Sequence, residues 1–122
     1  MKKFVKRTTV REIEIGGNKF NVDFGKDHIR FVFQRVAEEN KNVANTIEKG
    51  LSPEDEYNAI VEANKKIFEK AINDIIGDIT ASEKIFAEDK TAVFHADVYT
   101  FLVEQFMEVI NEESPYSPKR VK

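Results

Sequence analysis

The stretch Ser52 to Phe86, SPEDEYNAIVEANKKIFEKAINDIIGDITASEKIF, leaves this chain few options, because its apolar residues recur at steps of three and four and meet a glycine. Tyr57, Ile60, Val61, Ile67, Phe68, Ala71, Ile72, Ile75 and Ile76 fall on one helical face, opposite Glu62, Lys65, Lys66, Glu69, Lys70 and Asp74. Ser52 is placed as N-cap, Pro53 takes the first helical position, and Glu54, Asp55 and Glu56 meet the positive end of the dipole. Gly77 stops the run, so the spacing predicts a helix over 53–76. Thr80 and Glu83 repeat the capping-box spacing and predict a short helix over about 80–87 that folds Phe86 back on the long one.

A long helix with one apolar face needs something to cover it, and the flanking segments supply the cover. Ile13 and Ile15 alternate with Glu12 and Glu14, then Phe20, Val22 and Phe24 alternate with Lys19, Asn21 and Asp23, which is the signature of two strands. Gly16-Gly17-Asn18 between them tolerate the positive φ of a tight turn, giving a hairpin over 10–24. A lone hairpin is marginal in water, so its apolar face should cover a helix or its edge should pair with another chain. Asp27 is placed to cap a helix over about 28–49 with Ile29, Val32, Phe33, Val36, Ala37, Val43, Ala44 and Ile47 as its stripe. Asn40, Asn42 and Asn45 weaken that helix and predict a bend near 39–42. Phe31 falls off the stripe; it is expected under the hairpin, with a partner contact as the alternative. The last helix, about 94–111, buries Val98, Tyr99, Leu102, Phe106, Met107, Val109 and Ile110, and Phe94, Phe101 and Val103 widen its apolar face. The sum is a mostly α member of the α+β class: an N-terminal β-hairpin packed on three main helices plus one short helix, in a single globular domain over 10–112. Residues 1–9, with Lys2, Lys3, Lys6 and Arg7, read as a flexible basic arm, and 113–122, broken by Pro115 and Pro118, as a flexible tail.

The same residues exclude several functions. A chain of 122 residues buries roughly two thirds of its unfolded surface and needs no staple. Its net charge of −3 argues against nucleic acid or an anionic membrane as the partner of the whole domain. The absence of cysteine removes disulfides, thiolate zinc sites and thiol nucleophiles, in keeping with a reducing compartment such as the cytoplasm. No apolar run is long enough for a membrane span, and no secretory signal follows Met1-Lys2-Lys3, so a soluble protein is expected. His28 and His95 sit beside Asp27 and Asp97 outside any metal-ligand spacing and read as helix-end or surface histidines. Glu62 with Lys66 and Glu69 with Asn73 read as solvated exposed pairs. No nucleophile elbow, phosphate loop or calcium loop is present. No catalytic, cofactor or metal site is expected, and the chain does not read as an enzyme. Ten phenylalanines remain to be housed, with Phe4, Phe31, Phe94 and Phe101 left over once the stripes are assigned. They fill a phenylalanine-rich core or line an exposed groove for a helical partner.

A hairpin whose second strand reads F-x-V-x-F (Phe20, Val22, Phe24), a helix pair, then INDIIGDITASEKIF and YTFLVEQFMEVI resembles the tail assembly chaperones encoded ahead of the tape-measure gene in phages and prophages of Gram-positive bacteria. The signature is Ile72, Ile75, Ile76, Gly77, Ala81, Ser82, Ile85 and Phe86, then Val98, Phe101, Leu102 and Phe106, within about residues 12–112. Such proteins often carry a Gly-x-Gly-Ala-Ser run; here Asp78-Ile79-Thr80 intervene, which predicts a longer turn. The resemblance implies a protein that coats the hydrophobic tape-measure protein and helps to recruit the tail-tube protein, often with a longer frameshifted form. It places the contacts on Phe86, Phe94, Phe101 and Leu102, with the tail from Ser114 as linker or second contact, and Phe31, off its own stripe, joins them as a candidate contact. The competing class is a structural tail or connector component that forms a homo-oligomer through the hairpin edge.

Overall fold

Alternation at the N-terminus produces β1 (Val10–Ile15) and β2 (Asn18–Asp23), paired antiparallel with Ile13 opposite Phe20 and Ile15 opposite Asn18 in a computed structural model that describes residues 1–112. The expected flexible tail over 113–122 lies outside the described residues. Gly16 (φ 57°) and Gly17 (φ 80°) both take left-handed backbone, as a two-residue hairpin turn with the right twist requires. Ile13, Ile15, Val22 and Phe24 point inward and join one core with the helices.

The first helix, α1, runs from His28 to Asn42 and then tightens into a 3₁₀ turn over Val43–Thr46, so the asparagine-rich segment does end the α-helical run. Asp27 does not cap it with its side chain; the early amides of Ile29 and Arg30 donate to the carbonyls of Lys26 and Asp27 instead. Ile29, Val32, Val36 and Val43 are buried, whereas Ala37 and Ala44, expected on the stripe, face solvent. Ala37 stands about 100° round the helix from Val36, and Ala44 about 120° from Val43 in the 3₁₀ turn, both beyond the edge of the stripe.

The long helix α2 spans Pro53–Ile76. Its ends are those its sequence specifies: Ser52 Oγ accepts from the Asp55 amide at 3.2 Å, and Gly77, at φ 80°, donates its own N–H to the Asn73 carbonyl at 2.8 Å. Only the C-terminal part of its apolar face is sealed, through Ala71, Ile72, Ile75 and Ile76, while Tyr57 near the other end stands exposed. The short helix α3, Ala81–Ile85, is capped in an unexpected way. Thr80 turns its hydroxyl to Asp78 Oδ1 (2.7 Å), and the amide of Ser82 is taken by the Asn73 side chain of α2 at 2.8 Å. A tertiary partner has replaced the local cap.

The last helix, α4 (Ala92–Asn111), opens on Thr91, whose Oγ1 accepts from the Phe94 amide at 3.2 Å. Val98, Leu102, Phe106 and Val109 are buried against α2 and the hairpin. Met107, expected inside, is 45% exposed, because it follows Phe106 by a third of a turn and faces away. At the C-terminal end of α4, Arg7 donates to the carbonyls of Val109 (2.8 Å) and Glu112 (2.6 Å), and Arg11 pairs with the Glu112 carboxylate. These cations meet the negative end of the helix, where the Val109 carbonyl takes Arg7 besides the Glu112 amide.

Candidate protein-binding surface

The five residues expected to touch a partner part company in the folded chain. Leu102 is fully enclosed and Phe86 is 4% exposed, so both belong to the core and offer nothing to a partner. Phe86 is held there by an edge-on contact with Phe94 (ring centroids 5.4 Å apart) and a face-to-face stack on His95 (3.7 Å, 2° between planes). Phe94 and Phe101 are half-buried and line a small depression of about 240 Å³ between Gly16 and α4. Phe31 is not under the hairpin. That space is filled by Ile13, Ile15, Val22 and Phe24, and Phe31 stands 67% exposed on the outer side of α1.

Phe31 forms a ridge common to two grooves. The first, about 610 Å³, is lined by Val32, Ile79 and Gly77 with His28, Arg35 and Asp74 at its rim. Ile79 is 88% exposed. The rim ties α1 to α2: Arg35 donates to Asp74 at 2.5 Å and lies 3.5 Å from Glu39, and His28 Nε2 meets the Asp74 carbonyl at 3.2 Å. Asp78 anchors the turn that carries Ile79, accepting from both the hydroxyl and the amide of Thr80, and these bonds with the nearby Lys84 ammonium hold its carboxyl below the ordinary carboxylate range. The second groove, about 670 Å³, has Phe24, Phe106 and Ile110 within it and Lys26, Arg30 and Gln34 along its margin. Ile79 escaped sequence reasoning because it belongs to neither flanking helix. The available signal was an isoleucine isolated in a turn where Asp78 and Thr80 supply polar anchors.

His95 is the other surprise, being 1% exposed where a surface or helix-end histidine was expected. Its Nδ1 lies 2.7 Å from the Thr91 carbonyl and its Nε2 lies 2.7 Å from Glu69 Oε2. A carbonyl only accepts, so Nδ1 donates to Thr91, and Nε2 is occupied by the Glu69 carboxylate. Ser82, Glu69 and His95 all line one cleft of about 520 Å³, the residue types of a nucleophile, a carboxylate and a base. With one ring nitrogen on the backbone, the other on the carboxylate and the face covered by Phe86, no nitrogen is left to take the Ser82 proton. Among the described residues, no group of three or more histidines and carboxylates is placed to hold a metal ion, and no helix is long and apolar enough to cross a membrane.

Compared with models of protein families, with curated proteins and with solved structures, the chain finds no match in any of the three.

Proposed function

We propose that this chain is a binding protein that holds an apolar helical segment of a larger polypeptide, in the role of a phage or prophage tail assembly chaperone. Its client on this reading is the tape-measure protein, and by holding it the chain assists assembly of the tail tube. The observation that supports the reading best is that Phe31 and Ile79, the two large apolar side chains least tied to the core around α1 and the Gly77 turn, line one groove. Exposing two such side chains side by side forgoes burial that is worth roughly 1.5–3 kcal/mol each, and a surface of that kind is characteristic of contact sites. A helix with anchors at steps of three and four fits it, placing side chains on both sides of the Phe31 ridge. Lys26 and Arg30 along the second groove favour a segment with carboxylates beside its apolar stripe. The saturated hydrogen bonding of His95 supports a non-catalytic role.

Co-expression with the tape-measure protein of the same gene cluster tests the proposal. The client is expected to gain solubility and to co-purify, and Phe31→Glu with Ile79→Glu should reduce the recovered complex by roughly tenfold or more while far-UV circular dichroism stays unchanged. A client that is equally insoluble with and without this chain, or a complex indifferent to the double substitution, overturns it.

A further inference from the structure

We propose that a second copy of this chain adds to the free edge of β2, pairing antiparallel about Asn21 to make a continuous four-stranded sheet across a two-fold axis. The proposal is independent of the groove around Phe31, since it uses the backbone and solvent-face side chains of the hairpin alone.

The register decides which backbone groups are free. The glycine turn closes on Ile15 and Asn18, and hydrogen-bonded pairs then alternate along the ribbon at Ile13 with Phe20 and Arg11 with Val22, continued by the Phe24 amide on the Thr9 carbonyl at 3.2 Å. The intervening residues point their N–H and C=O groups outward: Val10, Glu12 and Glu14 on β1, and Lys19, Asn21 and Asp23 on β2. Among the described residues no backbone or side-chain group bonds the outward amides and carbonyls of Lys19, Asn21 and Asp23. An unpaired edge of this kind is a template for another strand.

The two edges differ in how they meet a copy of themselves. On β1 the Val10 carbonyl is already taken by the Arg11 guanidinium at 3.0 Å, which also bonds Thr8 and reaches Glu112. A two-fold axis at the centre of its free groups would set Glu12 against Glu12 of the other copy, a like-charge pair that opposes association. On β2 the same operation sets Asn21 against Asn21, and Lys19 against Asp23 twice. All three residues have the same parity, so these side chains share the solvent face while Phe20 and Val22 meet on the core face. The three facing pairs are the hydrogen-bonded kind. Opposite charge directly across a ladder adds to pairing and sets its register.

Sedimentation velocity over a concentration series tests the dimer on the full chain. The expected result is a concentration-dependent shift from monomer to dimer. Asn21→Pro removes an amide that the hairpin itself does not use and should leave a monomer of unchanged helical content. Lys19→Glu and Asp23→Lys, each alone, put like charges across the ladder and should each weaken association at least roughly tenfold. An equimolar mixture of those two variants restores both opposite-charge pairs in the heterodimer and should recover association, which a merely unfolded variant does not do. A wild-type chain that stays monomeric throughout the series, or a dimer untouched by Asn21→Pro, or a mixture no better than its separate components, overturns the proposal.

Discussion

His95 and Glu69 are joined at 2.7 Å across α4 and α2, twenty-six residues apart in sequence, and the ring's other nitrogen is bound at 2.7 Å to the Thr91 carbonyl one turn earlier in α4. With Phe86 stacked on the imidazole, this one side chain ties three helical segments together at the mouth of the cleft. Glu69→Leu should strand a buried ring nitrogen and cost about 1–3 kcal/mol, towards the lower end because the carboxylate is 40% exposed. Glu69→Gln should cost less, since its amide can donate to Nε2. Urea denaturation midpoints of the two variants check the order.

Leu102 is sealed and Phe31 is exposed, although both were among the candidate contact residues. Leu102→Ala should lower stability by about 2–5 kcal/mol, the cost of a cavity in a sealed core. Phe31→Ala should change it by no more than about 0.5 kcal/mol. Thermal unfolding of both variants under one condition makes the comparison, and similar losses would contradict the placement of Phe31.

The carboxylates of Asp23, Asp78 and Asp89 are each held below their ordinary value of 3.8, mainly by hydrogen bonds: from the Thr9 hydroxyl, from the Thr80 hydroxyl and from the Thr91 amide respectively. A folded-state value below the unfolded one contributes stability that is complete above the unfolded value and is lost as pH falls through the folded value. Stability should therefore decline as pH drops below 3.8, not between neutrality and that point, as far as these groups are concerned. All three are solvated, so each effect is small. Thr9→Val should flatten the acid limb of a plot of Tm against pH by removing the first contribution at Asp23.

The backbone of Gly25 passes so close to Thr9 that an added Cβ would lie 2.8 Å from the Thr9 Cβ. Gly25→Ala should force the residues before β1 away from the start of α1 and cost about 1–3 kcal/mol. Gly17→Ala meets no atom within 4 Å, and its cost should come from the positive φ alone, about 1–2 kcal/mol. Loss of the Phe24 amide's protection from hydrogen exchange in the first variant but not the second would separate the two causes.

Features that depend on neighbours within four residues were legible before the fold was known. The Ser52 cap, the Gly77 stop, the glycine turn of the hairpin and the Val98, Leu102, Phe106 and Val109 stripe of α4 all follow from local backbone sterics and helical spacing, and the hairpin-on-helices architecture follows from them. Capping by Asp27 and Thr80 was a local inference that failed, for two physical reasons. The Lys26 and Asp27 carbonyls served the early amides of α1, and Asn73, nine residues away, reached the Ser82 amide first. The candidate surface was less legible: Phe31 was singled out for leaving its stripe, but its direction depends on whether the hairpin reaches that side of α1.

The amino-acid order by itself determined where the chain turns, where its helices start and stop, and which residues are apolar enough to be buried, since those preferences are set by each residue and its near neighbours. Tertiary structure alone decided which of those apolar residues are sealed and which are offered to solvent. Enclosure of Leu102 and Phe86, exposure of Phe31 and Ile79, and the union of His95 with Glu69 each require surfaces from segments remote in sequence to arrive at one place, and no local preference encodes that arrival.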